Sequence, residues 1–287
     1  MVFRIGWFST GRDKAARDLL HTICDCIDTK DIRARISFVF CNRKFGENKE
    51  SDKFIRMVRE YGIDLVCFSS RDFKPKMRSR VRKDPDILKR WRTEYNDEII
   101  EMLAKYTSDL NILAGYMQIV SKKMCDTLDM INLHPAAPGG PSGSWQEVIW
   151  KLIESKSDKT GVMIHLVTEV LDQGSPVTFC TFPIRGPLFD TLWDELYQAL
   201  EIKDLSRIKK DEGEKNKLFK EIRRQGFRRE LPLLLQTIKE FADRKLRIKD
   251  KSVFIGDGVL EGGLCLSKEI DAYIYSKSRP LQQHVNI

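Results

Sequence analysis

Asn132 and His134 stand two residues apart in the run Ile131-Asn132-Leu133-His134-Pro135, so in an extended strand both side chains point to the same side. Pro135 ends that strand, and the glycines beyond it keep the following loop open. Asp172 lies far downstream in Thr168-Glu169-Val170-Leu171-Asp172-Gln173-Gly174, a loop after another strand in which Gly174 permits a tight turn. An amide, an imidazole and a carboxylate together suit acyl transfer. The amide donates to a developing oxyanion, the imidazole moves protons, and the carboxylate orients the ring and raises its basicity. The same residues would equally serve as a capping Asn, a core His and a turn Asp. Spacing by itself does not bring Asp172 to His134.

A second chemical candidate is Ser9-Thr10-Gly11-Arg12, between an apolar strand and a helix. Backbone N–H groups at a helix N-terminus bind phosphate readily, and Arg12 and Lys14 add positive charge. The run is neither a dinucleotide G-x-G-x-x-G nor a Walker P-loop, and an ordinary N-terminal turn is the alternative reading. A metal site is not expected. The four histidines (His21, His134, His165, His284) fall at no ligand spacing with one another or with the cysteines. The seven cysteines (Cys24, Cys26, Cys41, Cys67, Cys125, Cys180, Cys265) are scattered, odd in number and mostly in apolar contexts, which reads as buried reduced thiols.

The elements that would hold these residues alternate between strand and helix. Strands are predicted at Val2–Ser9, Ala34–Cys41, Asp64–Ser69, Leu110–Ala114 and Met130–Leu133. Helices are predicted at Lys14–Cys26, Asp52–Tyr61, Glu94–Tyr106, Lys122–Leu128 and Gln146–Ser155. That order argues for an α/β fold with a mostly parallel twisted sheet and helices on both faces, binding ligands at the carboxyl ends of its strands. Gly161–Thr168 and Pro176–Pro183 read as antiparallel edge strands, Asp190–Lys245 as helical and highly charged, and VFIGDGVLEGGLCL near the end as a hairpin.

Composition narrows the class. With 41% apolar and 32% charged residues, the 287-residue chain can bury a real core and is neither disordered, collagen-like nor a disulfide scaffold. No apolar stretch approaches the roughly 20 residues needed to span a bilayer, and the start of the chain lacks a signal-peptide pattern, so a cytoplasmic protein is expected. The formal charge of +8 and the basic stretch Arg71–Arg92 leave room for a nucleic-acid-binding protein. Against that, the stretch has only Phe73 and Trp91 as aromatics and matches no binding motif.

The segments Leu113-Ala114-Gly115-Tyr116-Met117-Gln118-Ile119-Val120, Ile131 to Pro135 and His165 to Gly174, taken in order, resemble the folate-dependent formyltransferase family. The opening strand-loop-helix and Glu230–Leu246 join the resemblance, which covers most of residues 1–248 and leaves 249–287 as a C-terminal extension of unknown role. The resemblance implies a Rossmann-like formyltransferase fold. It also implies transfer of the formyl group of 10-formyltetrahydrofolate to a phosphorylated small-molecule amine, that of glycinamide ribonucleotide in purine biosynthesis. By the same resemblance, Asn132 would hydrogen-bond the formyl oxygen and His134 would act as general acid on the tetrahedral intermediate. Asp172 would pair with His134 to keep it useful near neutral pH. Met117, Gln118, Ile119 and Val120 would present backbone groups to the pterin, Arg92 would meet the cofactor, and Ser9 to Arg12 would hold the substrate phosphate.

The chain departs from the family's pattern at several points. Gly11-Arg12-Asp13-Lys14 replaces a Gly-Ser-Asn run, Ala136 to Gly140 replaces S-L-L-P, and Gln118 stands where Arg is frequent. Insertions fall around Asp72–Arg90 and between Gly186 and Gly226. These touch the acceptor more than the transfer chemistry. Other acceptors (an amino sugar, methionyl-tRNA), hydrolysis of the formyl donor, and a regulatory or nucleic-acid-binding relative therefore stand as alternatives. Oligomeric state is not legible.

Overall fold

Apolar β-branched and aromatic runs make the strands, and polar caps start the helices between them. In the computed structural model, which describes residues 2–80 and 84–278, these are β1 (Phe3–Ser9), α1 (Lys14–Asp28), β2 (Ala34–Cys41), α2 (Lys49–Glu60), β3 (Leu65–Cys67), α3 (Pro75–Arg78), α4 (Pro85–Leu103), β4 (Leu110–Leu113), α5 (Lys122–Thr127) and β5 (Met130–His134). There follow α6 (Trp145–Glu154), β6 (Lys159–Leu166), β7 (Pro176–Pro183), α7 (Asp190–Leu200), α8 (Leu205–Glu212), α9 (Lys217–Ala242), β8 (Leu246–Lys249), β9 (Ser252–Ile255), β10 (Gly258–Val259), β11 (Leu264–Cys265) and α10 (Ser267–Ser278). Val81, Arg82 and Lys83 of the basic stretch, and the tail with His284, lie outside the described residues.

The chain forms two compact units. One comprises Met1–Asn132, His165–Ser175 and Ile238–Leu260, the other Leu133–Ile164, Pro176–Thr237 and the residues from Glu261 on. In the first, the strand order is β3-β2-β1-β4-β5, every pairing parallel. One level of the register runs Val66, Phe40, Phe8, Leu113, Asn132, so the half-buried amide of Asn132 is the single polar member of an otherwise apolar row. Above that row the strands end, and their loops make the crevice in which parallel sheets bind ligands. The core beside it is aromatic: Trp91 and Tyr95 of α4 stack at 5.1 Å, and Tyr95 stacks on Phe68 at 5.0 Å. The same unit carries a small antiparallel sheet, β10-β9-β8, in which Asp257-Gly258 lies in the β9–β10 hairpin.

In the second unit the order is β6-β7-β11. The nine-residue link from β6 to β7 is too short for a parallel crossover, and Leu166 N–H donates to the Ser175 carbonyl at 2.9 Å to close it as a hairpin. β7 is not the outermost strand, because β11 pairs with it in parallel. The predicted terminal hairpin is thus divided. Its first half makes β9 and β10, while Leu264-Cys265 joins β7. Trp150, Trp193 and Phe219 centre this unit's core.

Helix starts explain the other differences from the sequence prediction. Asn48 caps α2, accepting from Glu50 N–H and Ser51 N–H, so that helix begins three residues before Asp52. Asp84 caps α4 with Pro85 at its first position, placing the start nine residues before Glu94. The predicted helical stretch from Asp190 is divided into α7, α8 and α9, interrupted at 201–204 and again where Gly213 takes a left-handed φ of 50°. The architecture is the α/β class expected, a mostly parallel sheet with helices around it.

Candidate active site

Asn132 and His134 occupy the carboxyl end of β5 with one residue between them, which directs both side chains to one side of the strand. His134 is 3% exposed, and its Nε2 donates to the Pro141 carbonyl at 2.9 Å. A carbonyl only accepts, so the nitrogen facing it carries the proton. The loop after Pro135 therefore fixes the ring's tautomer as well as its orientation. Gly140 within that loop has no room for a side chain, since a Cβ there would lie 2.9 Å from the Ala137 carbonyl oxygen.

Asp172 sits in the loop after β6 with a φ of 57°, the left-handed region, which an aspartate tolerates better than most residues. Gly174 has a different task from the turn expected of it. A Cβ there would lie 1.6 Å from the Leu166 carbonyl oxygen, so its missing side chain is what lets the two backbones meet. The structure sets Asp172 Oδ1 3.8 Å from Nε2 of His165, both side chains being nearly buried. His165 is thus a partner that the sequence reading did not single out, although it opens the very segment that carries Asp172. Val167 N–H donates to the Met130 carbonyl at 2.9 Å, tying this segment to the start of β5.

The first loop and the 117–120 segment are joined directly. Thr10 N–H donates to the Gly115 carbonyl at 3.2 Å, and Met117 N–H donates to the Thr10 hydroxyl at 3.0 Å. Gly11 N–H is taken by the Ser9 hydroxyl, and Arg12 pairs with Asp13 at 3.2 Å. The Asp13 carboxylate itself caps α1 by accepting from Ala16 N–H. Val120 points into the core, whereas Met117 is 54% exposed. Arg92 lies within α4 rather than ahead of it, half-buried, and burial disfavours its charge. One turn on, Asn96 donates to the Arg92 carbonyl at 2.7 Å and to the Ile119 carbonyl at 3.4 Å, so a buried amide that the sequence reading missed links α4 to the 117–120 segment. Among the described residues no group of three or more His, Cys, Asp or Glu side chains is placed to hold a metal ion.

Comparison with known proteins gives this geometry a class. Residues 17–200 match the formyl transferase family. A phosphoribosylglycinamide formyltransferase from Dictyostelium discoideum is 30% identical over 175 residues, which cover 58% of this chain and 78% of that protein. Among solved structures, the phosphoribosylglycinamide formyltransferase of Coxiella burnetii shares the fold with a TM-score of 0.60 at 16% identity, over 92% of this chain and 99% of that one. A formyltetrahydrofolate deformylase of Pseudomonas syringae pv. tomato does so with a TM-score of 0.57 at 16% identity, over 90% and 67%. The chain belongs to the formyl transferase family. Within that family it is an enzyme, a formyltransferase.

Proposed function

We propose that the enzyme transfers the formyl group of 10-formyltetrahydrofolate to the amine of glycinamide ribonucleotide, a step of purine biosynthesis, in the cytoplasm. The observation that carries this reading is the Dictyostelium relative of that activity, matched over most of its length, together with Asn132 and His134 side by side at the end of β5. All seven cysteines are free thiols, which suits a reducing compartment. No helix among the described residues is long and apolar enough to cross a membrane. We assign catalysis to residues 1–248 and a separate role to 249–287.

The donor supplies a formyl carbon open to attack by an amine. A pterin needs an apolar face beside hydrogen-bonding backbone. Met117, Val170 and Leu171 are exposed apolar side chains on the two segments concerned, and Met117 to Val120 run outside regular structure. The amine arrives neutral and needs no activating base, so the protein's share is orientation and charge stabilisation. Asn132 donates its amide N–H to the formyl oxygen as that oxygen gains charge. His134, held by Pro141, delivers a proton to the donor nitrogen as the bond from that nitrogen to the formyl carbon breaks, and the attacking amine gives up a proton in exchange. As an imidazolium both ring nitrogens donate, so the bond to Pro141 can persist while the ring serves the substrate. We assign Asp172 the part of positioning residue for this ring, and Arg92 contact with the donor's acidic end.

An absorbance assay for loss of the formyl group, run with and without glycinamide ribonucleotide, tests the proposal. Turnover that requires the ribonucleotide is expected. Formate release without any amine would instead favour the hydrolytic reading raised by the deformylase neighbour. Asn132→Ala should lower kcat about 10²–10³-fold, and His134→Ala about 10²–10⁴-fold, with the fold intact. A folded His134→Ala protein at near-native rate would refute the proton-transfer role.

A further inference from the structure

The loops after β1, β2, β3 and β4 close around a cavity of about 390 Å³ in the first unit, lined among others by Thr10, Asn42, Arg43, Arg71, Arg78 and Met117. Its volume is within the ordinary range for a small-molecule site. Its lining carries three arginines. Arg4, Arg17 and Arg90 are each paired with a carboxylate, whereas among the described residues none of Arg43, Arg71 and Arg78 is. Arg43 donates to the Ser51 hydroxyl at 2.9 Å. Arg78 donates to the Ser70 carbonyl and lies over the Trp91 ring at 5.4 Å. These partners orient the guanidinium groups and leave their charge in place. The single carboxylate in the lining, Glu47, accepts from Lys44 N–H at 3.1 Å.

A second observation points to an occupant. Asn42 is 2% exposed, yet among the described residues its Oδ1 has no hydrogen-bond partner and its Nδ2 reaches the Ser70 hydroxyl alone, at 3.4 Å. A buried amide left half-satisfied is costly and rare in a protein. Because a serine hydroxyl both donates and accepts, this amide can turn either its N–H or its C=O to a ligand. The first loop, by contrast, has turned inward. Gly11 N–H and the Thr10 hydroxyl are engaged within the protein, and the Asp13 carboxylate already occupies the α1 N-terminus, where it opposes a second anion.

We infer that this cavity is the phosphoryl subsite for the acceptor, in which Arg43, Arg71 and Arg78 bind a phosphate monoester dianion and Asn42 hydrogen-bonds the attached sugar. Three arginines against one glutamate leave two positive charges, the match for a dianion. The planar guanidinium fork fits phosphate oxygens in pairs. The cavity also reaches Met117 and Gln118, assigned above to the donor, so its occupant would lie beside the bound donor. In naming the acceptor's chemistry this inference rests on the proposed function; as a binding site it can be measured alone.

The test is calorimetric titration of ribose 5-phosphate into the full chain and into Arg71→Ala, Arg43→Ala and Lys89→Ala, with thermal melts to verify folding. Arg71 is exposed and lies outside regular structure, so its replacement spares the fold. Each arginine variant is expected to weaken binding about 10- to 100-fold, while Lys89→Ala, a charge change on an exposed turn of α4, leaves it unchanged. In turnover, kcat/KM for glycinamide ribonucleotide should fall by a similar factor and that for the dephosphorylated riboside should not. Binding that survives in both arginine variants but is lost in Arg12→Ala would overturn the inference in favour of the first loop. Absence of ribose 5-phosphate binding to the unmodified chain would also overturn it. So would variants that lose only a preference for polyglutamylated over monoglutamylated donor. Arginine-dependent ribose 5-phosphate binding without formylation of glycinamide ribonucleotide would support the cavity and refute the proposed acceptor.

Discussion

Asp172 and Gly174 divide a conformational task that a single glycine was expected to perform. The left-handed backbone falls on Asp172, and the close approach to Leu166 falls on Gly174. Gly174→Ala should therefore destabilise the protein by about 1–3 kcal/mol, the usual cost of overpacking, and at the upper end because a carbonyl cannot rotate away as a side chain can. Urea denaturation gives the stability, and kcat should fall with it because Asp172 is carried on the same turn. Unchanged stability would mean that the loop can move off Leu166 freely. Such pairings explain what was legible at this scale. Asn132 and His134 follow from strand alternation, which is local. That Asp172 approaches His165 depends on how the loop between them folds back, and that Asn96 bridges α4 to Ile119 depends on a contact across the fold; spacing encodes neither. Arg43 follows β2, whereas Arg71 and Arg78 both follow β3, Arg78 as the last residue of α3; they share no motif, so the pairing of β2 with β3 is what brings them together.

At the scale of elements, β1 and β4 are clasped at their starts by Arg4 and Asp109. The Asp109 carboxylate accepts from the Arg4 side chain at 2.6 Å and 3.0 Å and from the Arg4 backbone N–H at 2.8 Å. The arginine's hydrogen bonds hold the Asp109 carboxyl below its ordinary range. Since the folded value is depressed, the stabilisation is complete above the unfolded aspartate value of about 4 and is lost as pH falls through the folded one. Asp109→Asn should lower Tm by on the order of 2 °C at neutral pH, a small effect because the pair is partly solvated, and the two melting curves should converge in acid. A gap that persisted once the pH had fallen well below the folded value would assign the loss to something other than charge. Elements rich in β-branched and aromatic residues, such as β2 and β7, were legible to the residue. The start of α4 was not, because Asp84 and Pro85 follow directly on a run of basic residues that hides the helical period. β11 was not either, since two residues carry no periodicity and their place is fixed by pairing with β7.

For the molecule as a whole the informative quantity is the formal charge of +8. Part of the basic stretch is neutralised locally, because Lys74 and Arg90 both pair with Glu94. Arg78 covers an indole. Part of the charge left over, that of Arg43, Arg71 and Arg78, lines the cavity at the carboxyl ends of the strands, and that arrangement favours steering of a small dianion over tracking of a nucleic-acid backbone, for which several phosphate contacts and stacking aromatics would be needed. Steering acts on encounter and is screened by salt, whereas the transfer step takes place among groups already in contact. Raising KCl from about 50 mM to about 300 mM shortens the screening length to roughly half, so the KM for glycinamide ribonucleotide should rise several-fold while kcat stays nearly constant. The uncharged riboside serves as the internal control, and its KM should hardly respond. If both acceptors responded equally, the salt would be acting on the donor or on the fold, and the positive field would have no part in selecting a phosphorylated amine.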